Sequence, residues 1–127
     1  NVVAGDVLAR LERRQQANRN SLRREIDRQK YREQQFEQIS AKVAGYYQMD
    51  WTELRNSRSR EMTRRRHLLI YLLRRYTNLS LAALGEKVGT AGYSGVSLII
   101  KRVRDKIATD KLTAQEVSKL AGLIEEK

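Results

Sequence analysis

SLAALGEKVGTAGYSGVSLIIKRVR, residues 80–104, is the stretch whose pattern decides the fold. Ser80 is a good N-cap ahead of a short apolar segment, which predicts a helix over Leu81 to Val88. Gly89 stands where a left-handed C-terminal glycine belongs. The loop Thr90-Ala91-Gly92-Tyr93 follows, and Ser94 is expected to cap a second helix running to about Ala108. In that helix Val96, Ile99 or Ile100, Val103 and Ile107 fall inward, while Lys101, Arg102 and Arg104 fall outward. A short helix, a glycine-bearing turn and a longer helix make the layout of a helix-turn-helix. Ser94, Gly95 and Ser97 are small enough to let the second helix approach a groove floor, and its free N–H groups can hold phosphates. The spacing alone also fits an ordinary helical hairpin whose basic face is merely solvated.

The helical pattern extends on both sides. Thr77-Asn78-Leu79-Ser80 reads as a turn. Before it a helix is expected from Ser59 or Arg60 to about Tyr76, with Met62, Leu69, Leu72, Leu73 and Tyr76 buried. Arg64, Arg65 and Arg66 fall across its polar side, with Arg74 and Arg75 further along. Phe36, Ile39, Val43 and Tyr46 or Tyr47 mark a first core helix ending near Gln48. Asp50 with Glu53 resembles a capping box for a short helix over Trp51 and Leu54, and Thr113 with Glu116 resembles another. The latter opens a last helix carrying Val117, Leu120, Leu123 and Ile124. No segment alternates with the period of a strand, so an all-α fold is expected, with a helix-turn-helix domain over residues 35–127.

Residues 1–34 form a basic linker or helical extension with a thin apolar face: Val7, Leu8 and Leu11, then Leu22 and Ile26. Between them residues 15–21 are almost without apolar content, and Asn20 or Ser21 is placed to cap a fresh helix. One continuous helix and two pieces are both open. The interrupted stripe counts against a coiled coil, so a monomer is expected. The chain begins with Asn and reads as a fragment of something longer.

Charge narrows the partner. Among 127 residues, 26 Lys and Arg stand against 15 Asp and Glu, a formal net charge of +11. That balance suits a polyanion: nucleic acid first, an anionic membrane second. No apolar run approaches the ~20 residues that span a bilayer, nor does the start resemble a signal peptide; a cytoplasmic, nucleoid-associated protein without membrane partners is expected. There are no cysteines and one histidine, His67, so thiolate and histidine metal sites are excluded, and neither cofactor nor small-molecule substrate is expected. Tyr31, Tyr46 and Tyr47 sit in helical patterns without a metal cluster, which argues against each as a nucleophile and against an enzyme.

Six arginines lie between positions 55 and 66: Arg55, Arg58, Arg60, Arg64, Arg65 and Arg66. A guanidinium can fork to phosphate oxygens or enter a narrow minor groove, and a loop can extend to deliver it. Arg58 is the central candidate on that loop.

Val43-Ala44-x-Tyr46-Tyr47, Leu54, Arg58-Ser59-Arg60-Glu61, Arg66, Tyr71-Leu72-Leu73-Arg74, Thr77-Asn78-Leu79-Ser80-Leu81, Leu84-Gly85 and Gly89 follow one another in register. Together they resemble the C-terminal DNA-binding domain of the bacterial replication initiator DnaA, over roughly residues 36–125. The resemblance implies that Arg58 enters a minor groove and that the loop and second helix read the adjacent major groove. It also implies that Arg66, Arg74, Arg102 and the helix start at Ser80-Leu81 lie against the sugar–phosphate backbone. Arg60, Arg64 and Lys101 complete the expected basic set on double-stranded DNA.

The departure from the family falls in the reading loop. Where the initiators carry Gly-Gly-Arg-Asp-His-Thr-Thr-Val, this chain has Gly89-Thr90-Ala91-Gly92-Tyr93-Ser94-Gly95-Val96. Four base-reading positions therefore differ, and poor binding to the initiator's own boxes is expected. Tyr93, Ser94 and Ser97 become the expected readers, with Thr90, Ala91 and Gly92 beside them; Tyr93 can equally be an aromatic that closes the turn. A Gly-Tyr-Ser-x-Val-Ser loop is similar to initiator-like domains appended to transposases of the REP-associated kind. An RNA-binding or ribosome-associated helical protein is the alternative.

Overall fold

The computed structural model describes residues 2–89 and 92–126, apart from the side chains of Val2, Val3, Ala4 and Tyr93. Six helices and no strand are found among the described residues, as expected of an all-α chain: α1 (Val2–Tyr46), α2 (Trp51–Asn56), α3 (Arg60–Tyr76), α4 (Leu81–Val88), α5 (Tyr93–Thr109) and α6 (Lys111–Glu125). By contacts the chain divides into two units, Asn1–Glu33 and Gln34–Lys127.

In the first unit the helix does not restart at Asn20 or Ser21, because polarity alone does not break a helix. The segment 15–21 has no proline or glycine, and Gln16 Nε2 donates to Asn20 Oδ1 across one turn at 3.2 Å. Val7, Leu8, Leu11, Leu22 and Ile26 are exposed.

The second unit closes around α3. Leu68, Leu69, Ile70, Leu72 and Leu73 are buried, so the middle of α3 is enclosed while its two ends carry arginines, and the helix packs against α2, α4 and α5. Phe36, Ile39, Val43 and Ala44 supply the buried face at the end of α1, and Trp51 meets Phe36 edge to face with centroids 5.6 Å apart. Val96, Ile99, Ile100 and Val103 seat α5, and Val117 and Leu120 seat α6.

Ser80 caps α4 as expected, accepting from Ala83 N–H; Ser59, expected only as a possible first residue of the helix, caps α3 by accepting from Met62 N–H. Gly89 ends α4 at φ 76°. Three other capping expectations are corrected. The Asp50 side chain makes no cap hydrogen bond. Gly92, in extended conformation, is the N-cap of α5, so the helix starts at Tyr93 and Ser94 lies inside its first turn. Asp110 serves both as C-cap of α5 and N-cap of α6. Thr113 therefore sits inside α6 and donates to the Asp110 carboxylate at 2.6 Å, while Glu116 receives Arg64 and Tyr47. A guanidinium offers Glu116 charged donors, which outcompete a single backbone N–H.

Candidate nucleic-acid interface

The arginine-rich stretch separates into side chains that build the surface and side chains that occupy it. Arg66 is only 4% exposed. Its Nη1 donates to the carbonyl oxygens of Leu54, at 2.8 Å, and of Ser57, and its Nη2 donates to Thr63 Oγ1 at 3.0 Å. Leu54 belongs to the last turn of α2 and Ser57 is its C-cap, where cationic donors satisfy oxygens the helix leaves open. Arg66 was expected against the sugar–phosphate backbone; it lies instead beneath the loop Ser57-Arg58-Ser59 and holds its α2 end. Burial, and then the charge of Arg58, lower its pKa, but its three partners keep the guanidinium in place.

Arg64, expected among the basic groups on DNA, is partly exposed and already paired. It donates to Glu116 at 2.7 Å from Nη1 and to Glu61 at 2.8 Å from Nη2, which fastens α3 to α6 and neutralises the cation. Tyr47 adds its hydroxyl to Glu116, and Arg65 lies over the Tyr47 ring. Burial first, then the hydrogen bond to Glu116, raise the Tyr47 pKa, so the phenol stays protonated. This cluster is structural, and sequence spacing gave no sign of it.

The other basic groups face outward. Arg58 lies exposed in the three-residue gap between α2 and α3, and Arg60 is exposed at the start of α3. Neither has an ion pair among the described residues. On α5, Ser94, Ser97, Lys101 and Arg102 are all exposed, and Gly92, also exposed, is the N-cap before the helix. Arg74 is exposed but donates through Nη1 to the Leu79 carbonyl at 2.9 Å, fixing the turn that leads to Ser80 and Leu81. Thr90, Ala91 and the Tyr93 side chain lie outside the described residues.

Charge connects loop and helix. His67, half-buried on α3, has its pKa lowered by burial first and then by Arg66 and Arg102, while Arg66 in turn feels Arg58. Arg58 from the loop and Arg102 from α5 therefore act on one adjacent pair of α3 residues. Arg55 makes a second connection that sequence reading left as loop charge. Its Nε donates to the Lys87 carbonyl at 3.0 Å, at the C-terminal end of α4. A left-handed glycine ending a helix, with an arginine upstream, was the available signal.

Residues 36–103 match the family described as the bacterial DnaA protein helix-turn-helix. The chain belongs to this family. The match takes in the arginine loop, α4 and α5 as far as Val103, so residues 36–103 are a DNA-binding domain of the DnaA type. Chromosomal replication initiator proteins DnaA are similar to this chain. That of Rickettsia akari is 29% identical over 109 residues, 85% of this chain and 24% of its own length. That of Roseiflexus castenholzii is 34% identical over 83 residues, 65% of this chain and 17% of its own. That of Wolbachia pipientis is 29% identical over 94 residues, 73% and 20% respectively. The chain thus spans about a quarter or less of these DnaA relatives. Among the described residues no helix is long and apolar enough to cross a membrane.

Proposed function

We propose that this DnaA-type domain binds double-stranded DNA with a sequence preference of its own, as a module of a transposase-like or replication-initiator-like bacterial protein. The first turns of α5 enter a major groove, where Tyr93, Ser94 and Ser97 meet base edges, with Thr90, Ala91 and Gly92 leading in. Arg58 enters the adjacent minor groove. Arg60, Arg74, Lys101, Arg102 and the α4 start at Ser80 and Leu81 lie along the phosphates. Arg64 and Arg66, whose donors are engaged within the protein, position this surface.

The observation that carries the reading is the state of Arg58. It is exposed, lacks an ion pair among the described residues, and stands on a three-residue loop whose flank Arg66 holds from below. A charge held ready on an anchored loop loses little conformational freedom when it enters a groove. The substituted reading loop supports a target different from the initiator's own boxes.

Selection of bound duplexes from a random double-stranded pool, at moderate salt, tests this. The expected result is a motif of about 8–12 base pairs with an A·T-rich flank, lost for Arg58→Ala more than for Arg104→Ala. Binding without an enriched motif, or a preference for structured RNA, would overturn it, as would equal losses by Arg58→Ala on specific and random duplexes.

A further inference from the structure

Leu98 is 45% exposed on α5, a helix whose apolar needs are met on the opposite side by Val96, Ile99, Ile100 and Val103. Its neighbours at helical spacing are Ser94, Lys101 and Asp105, all exposed, so Leu98 lies in the middle of the polar face. Isolated surface leucines are common, but this one has a special position. Ser94, Gly95 and Ser97 around it are small, so among the described side chains of the first two turns Leu98 projects furthest from the exposed face. A helical side chain leans toward its own N-terminus, which carries Leu98 back over the Ser94 turn. That is the end of α5 that enters the groove.

We propose that Leu98 determines specificity by packing on the 5-methyl group of a thymine; the inference rests on the major-groove placement of α5 proposed above. The thymine methyl is the one apolar feature that a base pair displays in the major groove, and apolar side chains recognise it by excluding water from it. Ser94 one turn before and Lys101 one turn after supply a hydroxyl and a charge for neighbouring bases or phosphates. Leu98 then reads a position that hydrogen-bonding groups alone leave weakly discriminated. The site would contain thymine at one fixed place, and cytosine, which lacks the methyl, would be rejected there.

The test replaces each thymine of the selected duplex by uracil, which keeps the pairing and removes only the methyl group. Wild-type protein is expected to lose about threefold to tenfold in affinity at one position and little at the others. Leu98→Ala should bind the thymine duplex weaker by a similar factor and show no further loss with uracil there. Its melting temperature should match wild type, because Leu98 lies outside the core. An enriched motif with silent uracil substitutions, or uracil sensitivity retained by Leu98→Ala, overturns the role of Leu98 and leaves the DNA-binding reading standing. Absence of any enriched motif overturns both.

Discussion

Arg55 Nε donates to the backbone carbonyl of Lys87 across 3.0 Å, joining α2 to the last turn of α4. The same guanidinium lies against Gly89: a Cβ built on that glycine would stand 3.3 Å from Arg55 Cζ. The end of α2, which leads into the arginine loop, and the turn of the helix-turn-helix are therefore tied to one another through a single side chain. A groove reader needs this, because misplacement of one element by an ångström loses contacts made by the other.

Gly89→Ala should lower stability by about 1–2 kcal/mol, since φ 76° is costly for a residue with a Cβ. Crowding against Arg55 adds to this. Thermal denaturation should show the loss, and DNA binding should weaken beyond what unfolding explains; an unchanged melting temperature would contradict the left-handed backbone at Gly89.

Arg66→Met and Arg58→Ala should separate support from contact. Removing Arg66 strands the carbonyls of Leu54 and Ser57 and should destabilise the domain by roughly 2–3 kcal/mol. Arg58→Ala should leave the unfolding free energy within about half a kilocalorie per mole of wild type. It should instead reduce the dependence of log K on log salt by about one and relax base preference beside its groove.

Glu116 should contribute to acid sensitivity. Burial opposes its charge, but hydrogen bonds from Arg64 and Tyr47, with the charge of Arg64, outweigh burial and hold the carboxyl below its usual 4.5. A depressed folded pKa gives stability that is present above pH 4.5 and lost as pH falls through the folded value. Glu116→Gln should therefore cost stability at pH 7, about 1 kcal/mol after allowance for the exposure of Arg64. It should also flatten the loss below pH 4.5, read from melting temperatures across pH.

His67 should act in a higher window with the same sign. Burial, then Arg66 and Arg102, hold the imidazole below its usual 6.5, so it is neutral in the folded domain at pH 7. Its favourable contribution is complete above pH 6.5 and declines as pH falls through the folded value. His67→Gln should remove the slope of stability just below pH 6.5; an unaltered slope would place its origin elsewhere.

Legibility followed the range of the interactions. The cap at Ser80 and the left-handed Gly89 were readable, because each acts on backbone within four residues. The capping boxes at Asp50 and Thr113 misled, because those residue types also serve other ends: Glu116 is taken by Arg64, 52 residues away. The continuity of residues 15–21 had a local sign, the absence of proline and glycine, but apolar periodicity, which fades there, does not register it.

By itself the sequence determined an all-α chain, most of the buried positions of its helices though not Leu68 and Ile70, the helix-turn-helix and its family, since periodicity and turn chemistry are properties of neighbouring residues. Which arginines remain available was decided only by the tertiary structure. Arg55, Arg58, Arg64 and Arg66 look alike in a basic run. Arg66 is drawn inside by carbonyls that α2 leaves open, Arg64 is neutralised by a carboxylate on α6, and Arg55 is tied to the end of α4. Arg58 stays exposed because its loop brings it no partner among the described residues. A guanidinium takes the acceptors that packing places within its reach, and packing joins residues that are far apart in the chain.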